Sequence, residues 1–326
     1  MPVAAPSCMA VRLWRFLAVS LCIAWATALF SASPSKVPNI EIGRDVRGLP
    51  VNMPLVGYLA TNETGVALAL QMGYRLFDTA LTYGNQRGIS RAITSIGIPR
   101  DAVFISTKVP GGLGAAGTIA AHHENLKQLE MDHVDLLLTH YPCGFPTSSG
   151  GELVNCTKAA RQATWRGLEA LYKFGKARAI GVAHYCQQHL EDVLEIATVD
   201  IAVDREEWHV GMGTSPRGLT AFCRKHRISY QSSSPLCGTC PGTDLISGPL
   251  VTSIGKAHNV SGAQVALKWL VQLGSPVTPG TTNPKHLREN LELFDFMLSK
   301  AEMKLLSEAS EPKGTALPFD CRQQLV

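Results

Sequence analysis

Four ionisable side chains of different types stand where short β-like segments of the sequence end. Asp78 ends the second such segment, with Tyr83 just beyond it, while Lys108 ends the third and His140 the fourth. Neighbouring parallel strands lie ~4.8 Å apart, so side chains at their ends can converge. The spacing therefore predicts one shared site that contains a carboxylate, a phenol, an ammonium and an imidazole.

This set of groups is suited to protonate the alkoxide that forms when a hydride adds to a carbonyl. Tyr83 is the candidate acid, provided that a nearby cation lowers its ordinary pKa of about 10. Lys108 can supply that cation, and Asp78 can hold Lys108 charged and in place. His140 can donate to the substrate oxygen and orient it. The hydride needs a nicotinamide cofactor, because no side chain carries one.

The elements that must position these groups alternate between β-like and amphipathic segments from about residue 50 onward. The β-like runs are Met53–Gly57, Tyr74–Thr79, Val103–Val109, Val134–His140, Ala179–Ala183, Ile201–Asp204, Ile228–Ser232 and Pro276–Pro279. Eight such units favour an α/β fold, a single-domain (β/α)₈ TIM barrel over residues 50–310. A doubly wound open sheet is the alternative. Both architectures place chemistry at the carboxyl ends of the strands.

Several motifs occur in the order expected of one known family. They are Gly73–Asn85, Ser106–Lys108, Leu138–Pro142, Gly175–Val182, Ser234–Leu236, Ala263–Trp269 and Asn283–Asn290. Together they resemble the aldo-keto reductases over about residues 50–310. The resemblance implies a TIM barrel and an NAD(P)H-dependent reductase of aldehydes or ketones. It also implies Tyr83 as proton donor, Lys108 and Asp78 as the residues that tune it, and His140 as the residue that orients the substrate.

The positions that the resemblance implies for the cofactor have diverged. They are His184, Arg205, Ser233, Thr281 and Asn290. Ser233 replaces an aromatic that stacks on the nicotinamide, while Gly280 and His286 replace the Lys and Arg that bind the extra phosphate of NADPH. Neutral groups cannot supply the charge-assisted bonds that a 2′-phosphate needs. We therefore expect NADPH or NADH as cofactor, with weak discrimination between them.

Two functions remain open from the sequence. The first is an active reductase with altered cofactor binding and a small carbonyl compound as substrate. The second is a secreted or lumenal barrel with a degraded cofactor site that acts by binding without turnover. Retention of Asp78, Tyr83, Lys108 and His140 favours the enzyme.

The N-terminal segment has the pattern of a secretory signal peptide over residues 1–28. Arg12 and Arg15 precede an apolar run over residues 16–30, and Ala26-Thr27-Ala28 forms an A-x-A cleavage pattern. An uncleaved membrane anchor and an organelle-targeting leader are the alternatives. Residues 29–49 are interpreted as a linker and residues 311–326 as a C-terminal tail. The predicted location is the secretory pathway or the extracellular space.

Cysteines and glycan acceptor sites also bear on the cellular location. Three N-x-S/T sequons occur, at Asn62, Asn155 and Asn259. After removal of residues 1–28 seven cysteines remain. The short-range candidates for pairing are Cys143 with Cys156 and Cys237 with Cys240, whereas Cys223 fits a small buried hydrophobe. One Cys-x-x-Cys pair is weak evidence for zinc, so no metal site is predicted.

Composition limits the classes of partner. Hydrophobic residues make up 45% of the 326-residue chain, as in a globular protein, and no internal run reaches 18 apolar residues, so a polytopic membrane protein is excluded. The net charge of +4 is too small for an electrostatic nucleic-acid binder. We expect a monomer that contacts a membrane only if the N-terminal segment stays uncleaved.

Overall fold

The structure is a computed structural model that describes Met1 and residues 37–144, 154–238, 240, 242 and 244–310. Its strands are β1 (Asn39–Arg44), β2 (Pro50–Pro54), β3 (Tyr58–Leu59), β4 (Leu76–Asp78), β5 (Phe104–Val109), β6 (Val134–Thr139), β7 (Ala177–Ala183), β8 (Val203–Glu207) and β9 (Ser229–Ser233). Strands β3 to β9 form one parallel sheet in consecutive order. This order is the one that repeated βα units produce.

Helices follow most of these strands and cover the outside of the sheet. They are α1 (Glu63–Met72), α2 (Gln86–Ile96), α3 (Gly114–Leu129), α4 (Lys158–Lys173), α5 (Gln187–Leu194), α6 (Leu219–Lys225), α7 (Asp244–Ser247), α8 (Pro249–His258), α9 (Gly262–Gln272), α10 (Pro284–Leu291) and α11 (Lys300–Ser307). Short 3-10 helices span Leu81–Tyr83, Arg100–Ala102, Pro216–Gly218 and Glu292–Phe294. The sequence-predicted alternation of strands and helices is confirmed.

An eighth extended segment closes the sheet into a barrel. Val277 pairs in parallel with Ser232 of β9 on one side and with Val56, just before β3, on the other. The Val277 N–H donates to the Leu55 carbonyl at 2.9 Å, and the Gly57 N–H donates to the Val277 carbonyl at 2.8 Å. Because the two edges of the sheet meet through this segment, the open-sheet alternative is wrong and the TIM barrel is confirmed.

Side chains alternate between the inside and the outside of the barrel. Leu76 and Phe104 belong to an interior apolar cluster, whereas Phe77 and Ile105 belong to the larger cluster under the helices. Successive residues of a strand point to opposite faces. A residue two or four positions after an interior apolar residue therefore also points into the barrel, nearer the carboxyl ends of the strands. This end of the barrel interior is here called the mouth.

A β-hairpin covers the opposite, amino end of the barrel. β1 and β2 pair antiparallel, and Ile42, Val51 and Met53 join the interior cluster. The sequence interpretation differs here, since it assigned residues 29–49 to a linker and Met53 to the first barrel strand. The difference arises because β1 and β2, joined by a tight turn at Asp45–Gly48, contain charged, glycine and proline residues that weaken the β pattern.

Disulfides cross-link two loops near the mouth. Cys143 is bonded to Cys156 and Cys237 to Cys240, as the short-range pairing predicted. Cys186 is disulfide-bonded as well, and Cys223 is a buried free thiol. Within the described ranges, no helix combines the length and the hydropathy that crossing a membrane requires. The predicted signal peptide and C-terminal tail lie outside the described residues.

Candidate active site

A buried ion pair forms the base of the site. Asp78 and Lys108 follow the interior residues Leu76 and Phe104 by alternation, so both point into the barrel. The Lys108 Nζ lies 2.8 Å from the Asp78 Oδ2 and donates to the Thr79 carbonyl at 2.7 Å. Both charged side chains are fully buried. These bonds fix the ammonium at the centre of the mouth.

Tyr83 is held above this ion pair by a short turn after β4. The 3-10 helix Leu81–Tyr83 ends at Gly84, whose φ of 66° lies in the left-handed region that glycine adopts without strain. This turn places the Tyr83 ring centroid 5.0 Å from the Lys108 Nζ. Tyr83 is 40% exposed, so its ring borders the open side of the mouth.

His140 completes the set of four, here called the tetrad (Asp78, Tyr83, Lys108 and His140). It lies one residue beyond β6, where its N–H donates to the Val109 carbonyl at 2.8 Å. Its ring meets the Tyr83 ring edge-on, with centroids 5.6 Å apart. The structure therefore brings together all four side chains that the sequence singled out.

Two further rings continue the wall of the mouth from His140. Tyr141 stacks on His140 with centroids 4.5 Å apart, and His184 stacks on Tyr141 at 5.0 Å while its ring centroid lies 6.5 Å from that of His140. The sequence reasoning missed Tyr141, although its place directly after His140 was a signal. His184 lies at the end of β7, near the mouth, as the resemblance implied.

Burial decides the protonation state of the two aromatic tetrad members. Burial, reinforced by Lys108, His184 and Arg205, lowers the pKa of His140 to about 2, so this imidazole is neutral at physiological pH. Burial also raises the pKa of Tyr83 to about 12, although the charge of Arg205 opposes that rise. This direction is opposite to the lowered Tyr83 pKa that the sequence argument required, because the effect of burial exceeds the opposing charge of Arg205.

The buried ion pair has shifted pKa values too. Burial lowers the pKa of Lys108 to about 8, with Asp78 opposing the shift and Arg205 adding to it. Burial alone would raise the pKa of Asp78, but Arg205 and Lys108 together hold it below its ordinary value. Ser106 supports the carboxylate by donating to the Asp78 Oδ1 at 3.0 Å.

Arg205, which was expected to bind the cofactor, contacts a member of the tetrad. Its Nη2 lies 3.2 Å from the Asp78 Oδ2 and the residue is 5% exposed. The physical reason is that β8 carries Arg205 into the barrel interior, where the buried Asp78 carboxylate attracts the guanidinium. The two residues meet across the barrel, since β8 and β4 are not neighbours in the sheet.

The remaining expected cofactor positions lie on later elements of the barrel. Ser233 ends β9 and is buried, and its Oγ has no hydrogen-bond partner among the described residues. Thr281 accepts from the Asn283 N–H just before α10, which begins at Pro284. Asn290 is buried in α10 and forms a hydrogen bond with the Tyr74 side chain.

These residues fit one end of a nicotinamide dinucleotide better than the other. A buried, unpaired Ser233 hydroxyl and the His184 ring at the mouth can both bond to a carboxamide. At the position of the extra phosphate, Gly280 has no side chain and His286 is exposed, with its Nε2 3.5 Å from the Asn283 amide. The residues therefore fit the nicotinamide end and provide little selection at the phosphate end.

One group of potential metal ligands comes together among the described residues. His209, Cys237 and Cys240 have ligand atoms within 4.8 Å of one another. Both sulfurs are joined to each other, however, and metals are bound by thiolates. In this structure the Cys-x-x-Cys pair cross-links the loop after β9.

Comparison with known proteins agrees with this architecture. The profile described as "Aldo/keto reductase family" matches residues 60–311. A curated protein named aldo-keto reductase, from Mycolicibacterium vanbaalenii, is 35% identical over 283 residues, which cover 86% of this chain and 94% of that protein. Glyoxal reductase from Bacillus subtilis is 34% identical, covering 73% of this chain and 79% of its own length.

A solved structure extends the likeness to three dimensions. The crystal structure of an aldo/keto reductase from Brucella melitensis superimposes with a TM-score of 0.71 and 30% identity. The match covers 84% of this chain and 99% of that one. On the profile, the relatives and the shared barrel, this chain belongs to the aldo/keto reductase family of NAD(P)H-dependent oxidoreductases.

Proposed function

We propose that this protein reduces small aldehydes or ketones to alcohols with NAD(P)H, and that Tyr83 is the proton donor. One observation carries the proposal: Tyr83, Lys108 and His140 surround a single opening. The Lys108 Nζ lies 5.0 Å from the Tyr83 ring centroid, and the Tyr83 and His140 rings are 5.6 Å apart. An acid, a fixed cation and a neutral donor are thus available to one substrate oxygen.

The chain's own residues divide the work as follows. His184 and Ser233 would hold the nicotinamide end of the cofactor, which supplies a hydride when bound. Neutral His140 donates a hydrogen bond to the carbonyl oxygen and orients it. The Tyr83 hydroxyl gives its proton to that oxygen as negative charge develops there. Lys108 then stabilises the phenolate that remains on Tyr83.

The substrate class follows from the site and from the relatives' names. The Bacillus subtilis relative is named for glyoxal, a small dicarbonyl compound. Tyr83 is 40% exposed while Lys108 is fully buried, so the reacting group enters from the Tyr83 side of the mouth. A small carbonyl compound that presents its oxygen between Tyr83 and His140 fits this arrangement.

Tyr83→Phe removes only the phenolic hydroxyl and tests the proton donor directly. We expect kcat/KM for carbonyl reduction to fall by about 100-fold or more, because general acid catalysis contributes roughly that much. Cofactor binding, followed by fluorescence titration, is expected to stay unchanged.

The matched control is Tyr172→Phe. The Tyr172 hydroxyl donates to the Arg44 carbonyl at the amino end of the barrel, so its loss leaves the mouth intact. Tyr172→Phe is expected to keep the parental activity. Equal activity in Tyr83→Phe and the parent would remove Tyr83 from its proposed role.

A specific observation favours a second candidate, a non-catalytic binding protein. The Arg205 guanidinium lies on Asp78, and the phosphate positions hold Gly280 and the exposed His286. A cofactor titration separates the two candidates. Binding of NADPH and NADH with similar affinity supports the reductase, whereas no binding of either supports the second candidate.

The location that we propose is the secretory pathway or the extracellular space, with the protein as a monomer. Two disulfides within the described residues suit an oxidising compartment. Asn62, Asn155 and Asn259 are exposed, as glycan acceptors must be. Recovery in an organelle or a membrane fraction would instead support the targeting-leader or anchor alternative.

A further inference from the structure

Asp78 is a buried carboxylate with two cations on one oxygen. Its Oδ2 lies 2.8 Å from the Lys108 Nζ and 3.2 Å from the Arg205 Nη2. Asp78 and Lys108 are fully buried and Arg205 is 5% exposed. The trio therefore carries a net charge of +1 in a dry interior when both cations are protonated. Such a charge is costly to bury.

Only one of the two cations can relieve this charge by losing a proton. A guanidinium stays protonated at all relevant pH values, whereas a buried ammonium releases its proton readily. Lys108 is therefore the group whose protonated form is destabilised. Its pKa, lowered to about 8 by burial with a contribution from Arg205, agrees with this assignment.

Asp78 is the carboxylate that acts on the charge of Lys108. The titratable and charged groups that face it come from several elements: Asp78 from β4, Tyr83 from the 3-10 helix, His140 from the end of β6, His184 from the end of β7 and Arg205 from β8. His140 is neutral because its pKa is about 2, and Tyr83 is neutral because its pKa is about 12. Arg205 is therefore the permanent positive charge that acts on Lys108.

We propose that Arg205 is a positioning residue for the Asp78–Lys108 pair and does not bind the cofactor. It keeps Asp78 ionised and oriented. Its fixed positive charge also sets the pH at which Lys108 loses its proton, and with it the positive charge that stabilises the Tyr83 phenolate. The inference rests on the proposed reductase function.

The test compares Arg205→Gln with the parent by two measurements, the pH dependence of kcat/KM and the dissociation constant of the cofactor. Removing the positive charge of Arg205 favours the protonated form of Lys108. The alkaline limb of the kcat/KM profile is therefore expected to move to higher pH by about one unit. The cofactor dissociation constant is expected to stay within about threefold, since the guanidinium lies on Asp78. Any other combination, above all an unmoved limb with weaker cofactor binding, overturns the proposal.

Two further variants of Arg205 and one control variant test whether its charge is responsible. Arg205→Lys retains a cation and is expected to return the limb toward its parental position, while Arg205→Met is a second neutral variant should Arg205→Gln fail to fold. Arg161→Gln is the matched control. Arg161 is another buried arginine, 2.6 Å from Asp192, but it lies on α4 outside the barrel. Its loss is expected to leave the alkaline limb unmoved.

A measurement without turnover separates this proposal from the proposed function. In protein labelled with ¹⁵N-lysine, the Lys108 side-chain signal can be assigned by its loss in Lys108→Met. Its titration midpoint is expected to rise in Arg205→Gln by the same amount as the limb. An unmoved midpoint overturns the role of Arg205, whereas absence of carbonyl turnover in the parent overturns only the proposed function.

Discussion

At the scale of single residues, the site works through what burial does to each ionisable group. Burial keeps His140 neutral and Tyr83 protonated, and it leaves Lys108 as the group that titrates near neutral pH. The pKa of Asp78 is held below its ordinary value, so this carboxylate stays ionised. Within the tetrad, Lys108 is therefore the pH-sensitive member, and it is a cation.

This assignment predicts a one-sided pH profile for carbonyl reduction. Lys108 is protonated below its folded pKa of about 8 and loses its charge as the pH rises through that value. We expect kcat/KM to be level between about pH 5 and 7, where an ordinary histidine would titrate, and to fall above pH 8. A stopped assay across this range checks it, and a second limb near pH 6.5 that persists in His184→Gln would contradict a neutral His140.

The sequence predicted the tetrad but not the partner of Arg205. Asp78, Lys108 and His140 end neighbouring parallel strands, and the carboxyl ends of such strands meet at one edge. The contact between Arg205 and Asp78 crosses the barrel from β8 to β4, which are not neighbours in the sheet. Only closure of the barrel brings these two residues together, so linear spacing gave no signal for the pair.

At the scale of elements, the hairpin β1–β2 supports the barrel from its amino end. Met53 is fully buried in the interior cluster, while Val46 in the connecting turn is 49% exposed. Long parallel strands such as β6 were recognisable in the sequence because they are apolar on both faces. β2 and β3 are so short that their boundary fell in the wrong place.

Met53→Ala tests how much the hairpin stabilises the barrel. We expect the free energy of unfolding to fall by about 2–5 kcal/mol, the usual cost of a cavity left by a large buried side chain. Thermal or denaturant unfolding measures it. Val46→Ala is the control from the same hairpin and is expected to leave stability nearly unchanged. Equal stability of both variants would show that the hairpin does not pack as described.

At the scale of the whole molecule, the barrel carries features of an oxidising environment. Cys143–Cys156 and Cys237–Cys240 cross-link loops near the mouth, and Cys223 remains a buried thiol. The sequence suggested both pairs because each joins cysteines close along the chain. Burial of Cys223 raises its thiol pKa, which keeps it protonated and unreactive.

The proposed secretory location predicts attached glycans. Protein recovered from the medium of expressing eukaryotic cells is expected to shift in gel mobility after endoglycosidase treatment. Replacement of Asn62, Asn155 and Asn259 together by Gln is expected to abolish the shift. A cytosolic pool with no shift would contradict the location without affecting the proposed chemistry.

The eighth extended segment, around Val277, closes the barrel with few backbone hydrogen bonds. Pro276 and Pro279 accept backbone hydrogen bonds from Ser232 and Leu59, but a proline has no N–H to give in return. Val277 alone of these three donates across the junction. The barrel therefore has fewer backbone hydrogen bonds at this junction than between β5 and β6. We expect local opening of the barrel to cost less free energy here than between those two strands, and this junction lies beside Ser233, where the nicotinamide end of a cofactor would lie.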